Sequence, residues 1–139
     1  MEIQKVLQIS FDELDEDQKN IFLDIAIFFH EFGKDFTIEI LNSCNFSAIS
    51  GISTLIDKSL ISIIDDKLHM HDLLVEMGEE IVRSTSPREP GKRSRLWMQQ
   101  DIYDVLENLT VRIKYMNLIF IKSFKLQKYH FHLTICACI

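Results

Sequence analysis

The sequence predicts a mainly α-helical domain that contains one small β-hairpin. Three observations indicate this fold class. Apolar residues recur at helical spacing along most of residues 3–109, a pair of aspartates separates two short apolar runs, and an alternating stretch passes directly into another helical pattern. At 139 residues the chain has room for one compact domain, and no second domain is expected.

Two amphipathic helices are predicted at the start of the chain. The first covers residues 3–14, and its apolar face consists of Ile3, Val6, Leu7, Phe11 and Leu14. Asp15 and Gln18 have the spacing of a capping box in front of the second helix, which Gly33 helps to end. The second helix is the most apolar and is expected to be the centre of the core, through Ile21, Phe22, Ile25, Ala26, Phe28 and Phe29.

Two shorter helices and a hairpin are predicted next. One helix covers residues 35–44, with Phe36, Ile40, Leu41 and Cys44 on its apolar face. Ser47 is expected to cap the other, whose apolar residues are Ile49, Ile52, Leu55 and Ile56. Residues 60–64 and 67–70 have the pattern of two strands, joined by a two-residue turn at Asp65 and Asp66.

The candidate functional site lies where the second strand meets the next helix. The helical pattern contains Leu73, Leu74, Met77, Ile81 and Val82, and Asp72 is placed to cap it, because a carboxylate accepts hydrogen bonds from the first backbone N–H groups. His71 lies at the junction. An imidazole beside a helix N-terminus can donate a hydrogen bond to a phosphate, or it can simply close the corner.

An exposed loop and a last helix complete the predicted domain. Both prolines fall in residues 84–95 together with four basic residues, Arg88, Lys92, Arg93 and Arg95. Leu96 and Trp97 are expected to return to the core. Asp101 is expected to begin a last helix, whose apolar residues are Ile102, Val105, Leu106 and Leu109. Residues 1–110 carry 10 basic and 21 acidic side chains, whereas residues 111–139 carry 5 basic and none acidic, so a boundary is expected near residue 110.

Cysteine usage and hydropathy favour an intracellular protein. The three cysteines are an odd number, and Cys44 has no neighbour in the sequence with which to pair. The N-terminus lacks the basic start and apolar run of a secretory signal. No uninterrupted apolar run reaches the roughly 18 residues of a transmembrane helix.

Several short motifs resemble a known family. Met70, His71 and Asp72 resemble the "MHD" signature that closes the nucleotide-binding (NB-ARC) module of plant disease-resistance receptors. Five further motifs, in the family's order, resemble the receptors that carry an N-terminal Toll/interleukin-1 receptor (TIR) domain and leucine-rich repeats; they are residues 21–29, 55–61, 77–83, 90–97 and 101–106. The resemblance covers about the first 110 residues. It implies a winged-helix domain, with a two-stranded wing, as the C-terminal part of an NB-ARC module.

The same resemblance implies a function for the corner at His71. In these receptors the matching histidine reaches the β-phosphate of ADP on a neighbouring nucleotide-binding subdomain and holds the receptor closed. His71 is therefore expected to be the phosphate ligand, with Asp72 and Met70 in support. Core residues are expected to keep His71 aimed, among them Phe22, Ile25, Phe29, Leu55, Leu73 and Trp97. The chain would be a fragment of an intracellular immune receptor that senses nucleotide state and restrains the defence response.

Cofactor, partner and location follow from this interpretation. ADP or ATP is expected in the complete parent, and no cofactor in this chain alone. The expected partners are the nucleotide-binding and leucine-rich-repeat domains of the parent, with other receptors as further candidates, and neither nucleic acid nor membrane. The expected location is the cytoplasm, with the nucleus as the alternative. The alternative function is an interaction module that pairs with full-length receptors.

Metal binding, DNA binding and catalysis are the alternative functions that these motifs allow. His69 and His71 form an H-x-H pair, but the sequence shows no third metal ligand beside them. A DNA-binding winged helix needs a basic recognition helix, whereas residues 47–59 contain only Lys58 and also Asp57. Catalysis is not expected, because the sequence contains no phosphate-binding loop and the TIR domain, which is associated with NAD cleavage, is absent. The acidic run of residues 12–17 resembles a metal or acid–base site but is expected to be a solvated connection between helices. The basic loop of residues 88–95 is expected to be a solvated surface, with contact to nucleotide phosphate or to an acidic partner as the alternative.

The family resemblance does not extend into residues 111–139. We hypothesise that they are a foreign ending, such as translated intron or a mistaken gene boundary. Within them, residues 118–121 form an apolar run that would be a membrane or partner contact or, in a foreign ending, an aggregation hazard. The pattern His130-x-His132 with Cys136-x-Cys138 is a weak metal signal, because paired cysteine ligands usually have two residues between them.

Overall fold

The computed structural model describes residues 2–43, 46–89, 95, 97, 98, 100, 101, 117–121 and 132–136. It divides into two compact units, Met1–Glu80 and Ile81–Ile139. The first unit contains the four helices and the hairpin that the apolar patterns predict, and the helix that follows begins within it. A mainly helical domain with a small two-stranded sheet is therefore confirmed.

Helix α1, Glu2–Asp12, is attached to the core by its C-terminal end. Phe11 and Leu14 are buried, and the Phe11 ring meets the Phe22 ring edge to face, with centroids 5.2 Å apart. The predicted amphipathic helix is confirmed, and its apolar face is only partly buried. Ile3 and Val6 are 65% and 60% exposed, because spacing shows which residues share a face and not whether another element covers it.

Helix α2, Glu16–Asp24, begins with the predicted capping box. The Asp15 carboxylate accepts from the Gln18 N–H at 2.8 Å, and the Gln18 side chain accepts from the Asp15 N–H at 3.1 Å. Its six predicted core residues are all buried, but the last of them lie in a π-helical segment, Ile25–Phe29. The chain then turns at Glu31, whose φ is 71°, and not at Gly33, whose φ is not positive.

Helices α3, Lys34–Ser43, and α4, Ala48–Asp57, pack against each other, and α4 also packs against α2. Ser47 occupies the N-cap position of α4 as expected, but its hydroxyl makes no capping hydrogen bond. The Ala48 N–H instead donates to the side-chain oxygen of Asn42 at 3.3 Å. Ile52 and Leu55 are buried, whereas Ile49 is 69% exposed. The predicted Cys44 lies outside the described residues.

Strands β1, Ser62–Ile64, and β2, Lys67–His69, form the predicted antiparallel hairpin. Asp65 and Asp66 have φ values of 51° and 60°, which is the left-handed pair that a type I′ turn requires. The other edge of β2 is also paired, because Gly33 forms an isolated bridge with Lys67. Residues 31–34, which we call the strap, therefore lie along the outer edge of β2.

Helix α5, Asp72–Thr85, follows the hairpin. Leu74 and Val82 are buried, while Leu73, Met77 and Ile81 are half-buried. Gly78 allows α5 to approach the π-helical segment, since a Cβ atom there would lie 2.7 Å from the Cβ of Ala26. The first turns of α5 are thus fixed to the most buried part of the unit.

The second unit contains two local features that bear on the predictions. The guanidinium of Arg83 lies 5.6 Å from the centroid of the Trp97 ring, and Trp97 is half-buried. Arg95 is only 6% exposed, so its assignment to a solvated loop is wrong. The predicted stripe of residues 102–109, Leu96, Lys92 and Arg93 lie outside the described residues.

Residues 117–121 and 132–136 form an antiparallel pair, β3, Asn117–Ile121, and β4, His132–Cys136. Leu118 pairs with Ile135, and Phe120 with Leu133. The apolar run of residues 118–121 is therefore a strand. Within the described part of the chain, no helix has the length and apolar character needed to cross a membrane.

Candidate functional site at the hairpin-to-helix corner

The corner between β2 and α5 consists of two residues with opposite environments. Met70 is 3% exposed and fixes the backbone against the core. His71, the next residue, is exposed. The imidazole therefore lies at the surface. The buried Met70 side chain holds the backbone just before it in position.

His71 is the N-cap of α5. Its Nδ1 accepts a hydrogen bond from the Leu73 N–H at 3.1 Å, and its carbonyl oxygen accepts from the N–H groups of Leu74 and Val75 at 2.9 and 3.1 Å. The expectation that Asp72 caps the helix is therefore corrected. Asp72 is the first residue of the helix, one position too far along for its carboxylate to occupy the N-cap.

The cap determines which hydrogen-bonding groups His71 presents to solvent. A nitrogen that accepts a hydrogen bond carries no proton, so the neutral ring has its proton on Nε2. Nδ1 faces the helix start, and Nε2–H lies on the opposite side of an exposed ring. The corner thus offers one outward donor in a fixed orientation. The exposed carboxylate of Asp72 lies in the first turn, where it interacts favourably with the helix dipole.

The strap holds the strand that leads to His71. The Leu68 carbonyl accepts from the Glu31 N–H at 2.6 Å, and the Leu68 N–H donates to the Phe32 carbonyl at 2.9 Å. At the hairpin turn, the Lys34 N–H donates to the Asp66 carbonyl at 2.8 Å. Leu68, three residues before His71, is fully buried. Its backbone N–H and carbonyl therefore need hydrogen-bond partners, and the strap supplies both.

The residues expected to keep His71 aimed are only partly in the core. Phe22, Ile25, Phe29 and Leu55 are fully buried. Leu73 and Trp97 are half-buried. Leu74, which is 3% exposed, takes the inward position instead of Leu73.

Two of the other predicted sites fall among the described side chains, one at His69 and one in the acidic run. His69 is exposed on β2, and within the described ranges no three His, Cys, Asp or Glu side chains come together as metal ligands would. The tail pattern at His130, His132, Cys136 and Cys138 lies outside the described side chains. In the acidic run, Glu13 forms an ion pair with Lys58 at 3.0 Å, and the carboxylate of Asp15 caps α2.

Helix α4, at the position of a recognition helix, has a weakly charged surface. Its exposed residues include Ile49, Ser53 and Ile56, and Lys58 at its end is engaged by Glu13. This surface lacks the basic residues that neutralise nucleic-acid phosphates. The geometry gives no support to DNA binding through α4.

Sequence reasoning missed three features of the site. The capping role of His71 was missed because Asp is the commoner N-cap and stands beside it. The strap was missed because residues 31–34 have no strand periodicity, and left-handed φ at a glutamate leaves no signal in sequence. The complete burial of Asp24 was also missed, although its place between Leu23 and Ile25 in an apolar run was a usable signal.

Comparisons with known proteins match the same part of the chain. The family described as "Disease resistance protein Roq1-like, winged-helix domain" matches residues 15–86. Disease resistance protein RPV1 of Vitis rotundifolia is 52% identical over 96 residues, which cover 69% of this chain and 7% of RPV1. Disease resistance protein RPP2A of Arabidopsis thaliana is 47% identical over 107 residues, which cover 77% of this chain and 8% of RPP2A.

A third relative extends the match towards the end of the chain. Disease resistance protein RPP2B of Arabidopsis thaliana is 43% identical over 129 residues, which cover 90% of this chain and 11% of RPP2B. That alignment therefore reaches beyond residue 110, while the boundary there and the origin of residues 111–139 stay predictions. The chain spans only about a tenth of the length of these relatives.

Proposed function

Because the chain belongs to the family of plant disease resistance proteins that carry a Roq1-like winged-helix domain, we propose that it senses the nucleotide state of an immune receptor. In this proposal, His71 donates a hydrogen bond from Nε2 to the β-phosphate of ADP held by an adjoining nucleotide-binding subdomain. The contact keeps the receptor closed. The observation that carries the proposal is the capped imidazole, whose Nδ1 is engaged by Leu73 and whose opposite edge faces solvent.

The physical basis of such a switch is differential contact. A ligand shifts a conformational equilibrium only by as much as its interaction free energy differs between the two conformations. A hydrogen bond to a charged phosphate contributes about 1.5–3 kcal/mol, and it exists only in the closed arrangement. Loss of the phosphate contact would therefore favour the open arrangement by that amount.

Met70 and Asp72 support the donor without touching the phosphate. Burial of Met70 fixes the backbone on one side of His71, and Asp72 stabilises the first turn of α5 on the other. In this arrangement ADP or ATP is bound mainly by the adjoining domain of the parent. The chain alone is expected to bind no nucleotide and to catalyse no reaction, and we place the parent receptor in the cytoplasm, with the nucleus as the alternative.

A second candidate function is that of an interaction module that pairs with full-length receptors. It is favoured by the exposed apolar row on α1, in which Ile3, Val6 and Ile9 are 58–65% exposed. Apolar side chains at this spacing suit another protein domain as partner. Co-purification of the 139-residue chain with a receptor that lacks its own winged helix would favour this function. Loss of co-purification in Val6→Ser would attribute it to α1.

The primary proposal is tested by separating the cap from the outward donor. Residues 15–86 would replace the matching segment of RPV1, and ADP retained by the purified chimeric receptor would be measured by chromatography. His71→Asn keeps a good N-cap, but its short amide does not reach the position of Nε2. His71→Gln places an amide near that position and loses the cap.

The two variants give opposite expectations. His71→Asn is expected to leave stability unchanged and to reduce ADP retention about tenfold or more, which corresponds to one charged hydrogen bond. His71→Gln is expected to lose stability and to retain more ADP than His71→Asn. Full ADP retention by His71→Asn would show that the ring only closes the corner.

A further inference from the structure

The strap of residues 31–34 connects the π-helical segment to the strand that carries the candidate donor. The π-helical segment ends where the His30 N–H donates to the Ile25 carbonyl at 2.7 Å. Glu31 then adopts φ 71°, a left-handed conformation that is unfavourable for residues other than glycine, asparagine and aspartate. This φ sets the orientation of the peptide plane after Glu31 relative to the plane before it, so that the Glu31 N–H and the Phe32 carbonyl can both bond to Leu68.

The strap provides the bonds on one whole edge of β2. In the hairpin register Leu68 lies opposite Ile63, and its own N–H and carbonyl point away from β1, towards Phe32 and Glu31. The bridge between Gly33 and Lys67 continues the same ladder. Leu68 is followed by His69, Met70 and His71, so roughly 10 Å of extended chain separates the strap from the imidazole.

We propose that Glu31 is a positioning residue for His71, and that its left-handed backbone sets how firmly the corner is held. This inference rests on the proposed function of His71 for its consequence, and on the backbone geometry for its mechanism. When the turn at Glu31 is released, Leu68 loses both strap bonds, β2 keeps only its pairing with β1, and the start of α5 becomes less fixed. The hold on a phosphate then weakens, although no residue in contact with it has changed.

Valine and glycine at position 31 isolate the backbone effect. Both substitutions remove the Glu31 carboxylate, and with it whatever that side chain contributes. Glycine adopts a positive φ without strain, whereas valine, with its branched Cβ, is strained there. A difference between Glu31→Gly and Glu31→Val therefore reports the left-handed turn and not the charge.

Ser59 offers a matched control for the strain. It has φ 60° and is exposed, but it lies between α4 and β1, and its N–H donates to the Ile56 carbonyl and not to the strap or β2. Ser59→Val introduces the same kind of backbone strain. It should loosen the nearby bonds that the Leu60 and Ile61 N–H groups make to the Leu55 carbonyl, and should spare β2.

The first experiment is amide hydrogen exchange on the 139-residue chain. The exchange rates of the Leu68 and Leu73 amides are compared with that of the Phe22 amide in the core of α2, because this ratio removes changes in global stability. In Glu31→Val the ratio for Leu68 is expected to rise about tenfold, and that for Leu73 to rise as well. Ser59→Val is expected to leave both ratios unchanged, and Glu31→Gly to leave them unchanged or to lower them, because glycine adopts a positive φ without strain. Equal ratios in all three variants would overturn the role of the strap.

The second experiment measures ADP retained by the chimeric receptor described above. Glu31→Val is expected to lose ADP severalfold relative to Glu31→Gly and Ser59→Val. If Glu31→Val loosens Leu68 yet retains ADP, Glu31 is not a positioning residue for the donor. Failure of the function itself is seen separately, in full ADP retention by His71→Asn, and it leaves the exchange result on the strap intact.

Discussion

Gly78 carries a prediction that can be worked through from distances. An added Cβ would lie 2.7 Å from the Cβ of Ala26, whereas carbon atoms in ordinary contact are roughly 3.5–4.0 Å apart. The helix would have to move by about 1 Å. Ala26 is fully buried on a helical backbone and has no flexible side chain that could yield. The other two neighbours, Phe22 and Leu23, are at ordinary distances of 3.7 and 3.9 Å.

Two opposing terms set the expected magnitude for Gly78→Ala. Overpacking of this kind lowers the free energy of unfolding by about 1–3 kcal/mol. Replacing a glycine in a helix by alanine raises it by about 1 kcal/mol. A net loss of about 1 kcal/mol in the free energy of unfolding is therefore expected. Urea unfolding of the 139-residue chain, followed by circular dichroism, measures it.

The chain offers two controls for this prediction. Gly33→Ala is the matched substitution, because a Cβ there meets only the Cβ of Phe36 at 4.0 Å; stability should be unchanged or slightly raised. Ala26→Gly removes the colliding atom, so combining it with Gly78→Ala should reveal a coupling of about 2 kcal/mol in a double-mutant cycle. Additive effects in the cycle, or a Gly78→Ala protein as stable as the parent, would refute the close approach of α5 to the π-helical segment.

Three further predictions concern caps and turns, each measured by urea unfolding of the same chain. Asp15→Ala should lower the free energy of unfolding by about 1 kcal/mol, whereas Ser47→Ala should leave it nearly unchanged, because only Asp15 makes a capping hydrogen bond; equal losses would contradict the assignment. His71→Ala should lose about 1 kcal/mol and His71→Asn almost none, and a stable His71→Ala protein would argue against the cap. Asp66→Gly should raise stability by up to about 1 kcal/mol, since glycine adopts φ 60° without strain, and a loss would speak against the type I′ turn.

The elements were predictable because each depends on neighbours in sequence. The capping box at Asp15 and Gln18 needs only three residues of separation, and the hairpin needs only two strand-forming runs and a turn of two aspartates. The core residues of α2 follow from helical spacing and apolar density. The position of His71 between strand and helix follows from the change of period at Met70.

Features that depend on contacts between distant segments were not predictable in the same way. Exposure of Ile3 and Ile49 contradicts their helical stripes, because periodicity does not tell whether a face has a partner. His71 and not Asp72 is the N-cap because of where β2 ends. The end of β2 depends in turn on its hydrogen bonds to the strap and its pairing with β1. A shift of one residue at that point exchanges the two roles.

The sequence by itself determined the family, the mainly helical fold and the presence of a histidine at a hairpin-to-helix junction, since short motifs and local periodicity encode all three. Only the tertiary structure decided that the imidazole caps α5 through Nδ1 and presents Nε2–H to solvent. It also decided that Glu31 and Phe32, more than thirty positions earlier in the chain, hold the strand leading to it. The physical reason is that backbone hydrogen bonds between remote segments form only when packing brings those segments together, and such packing leaves no periodic pattern in either one.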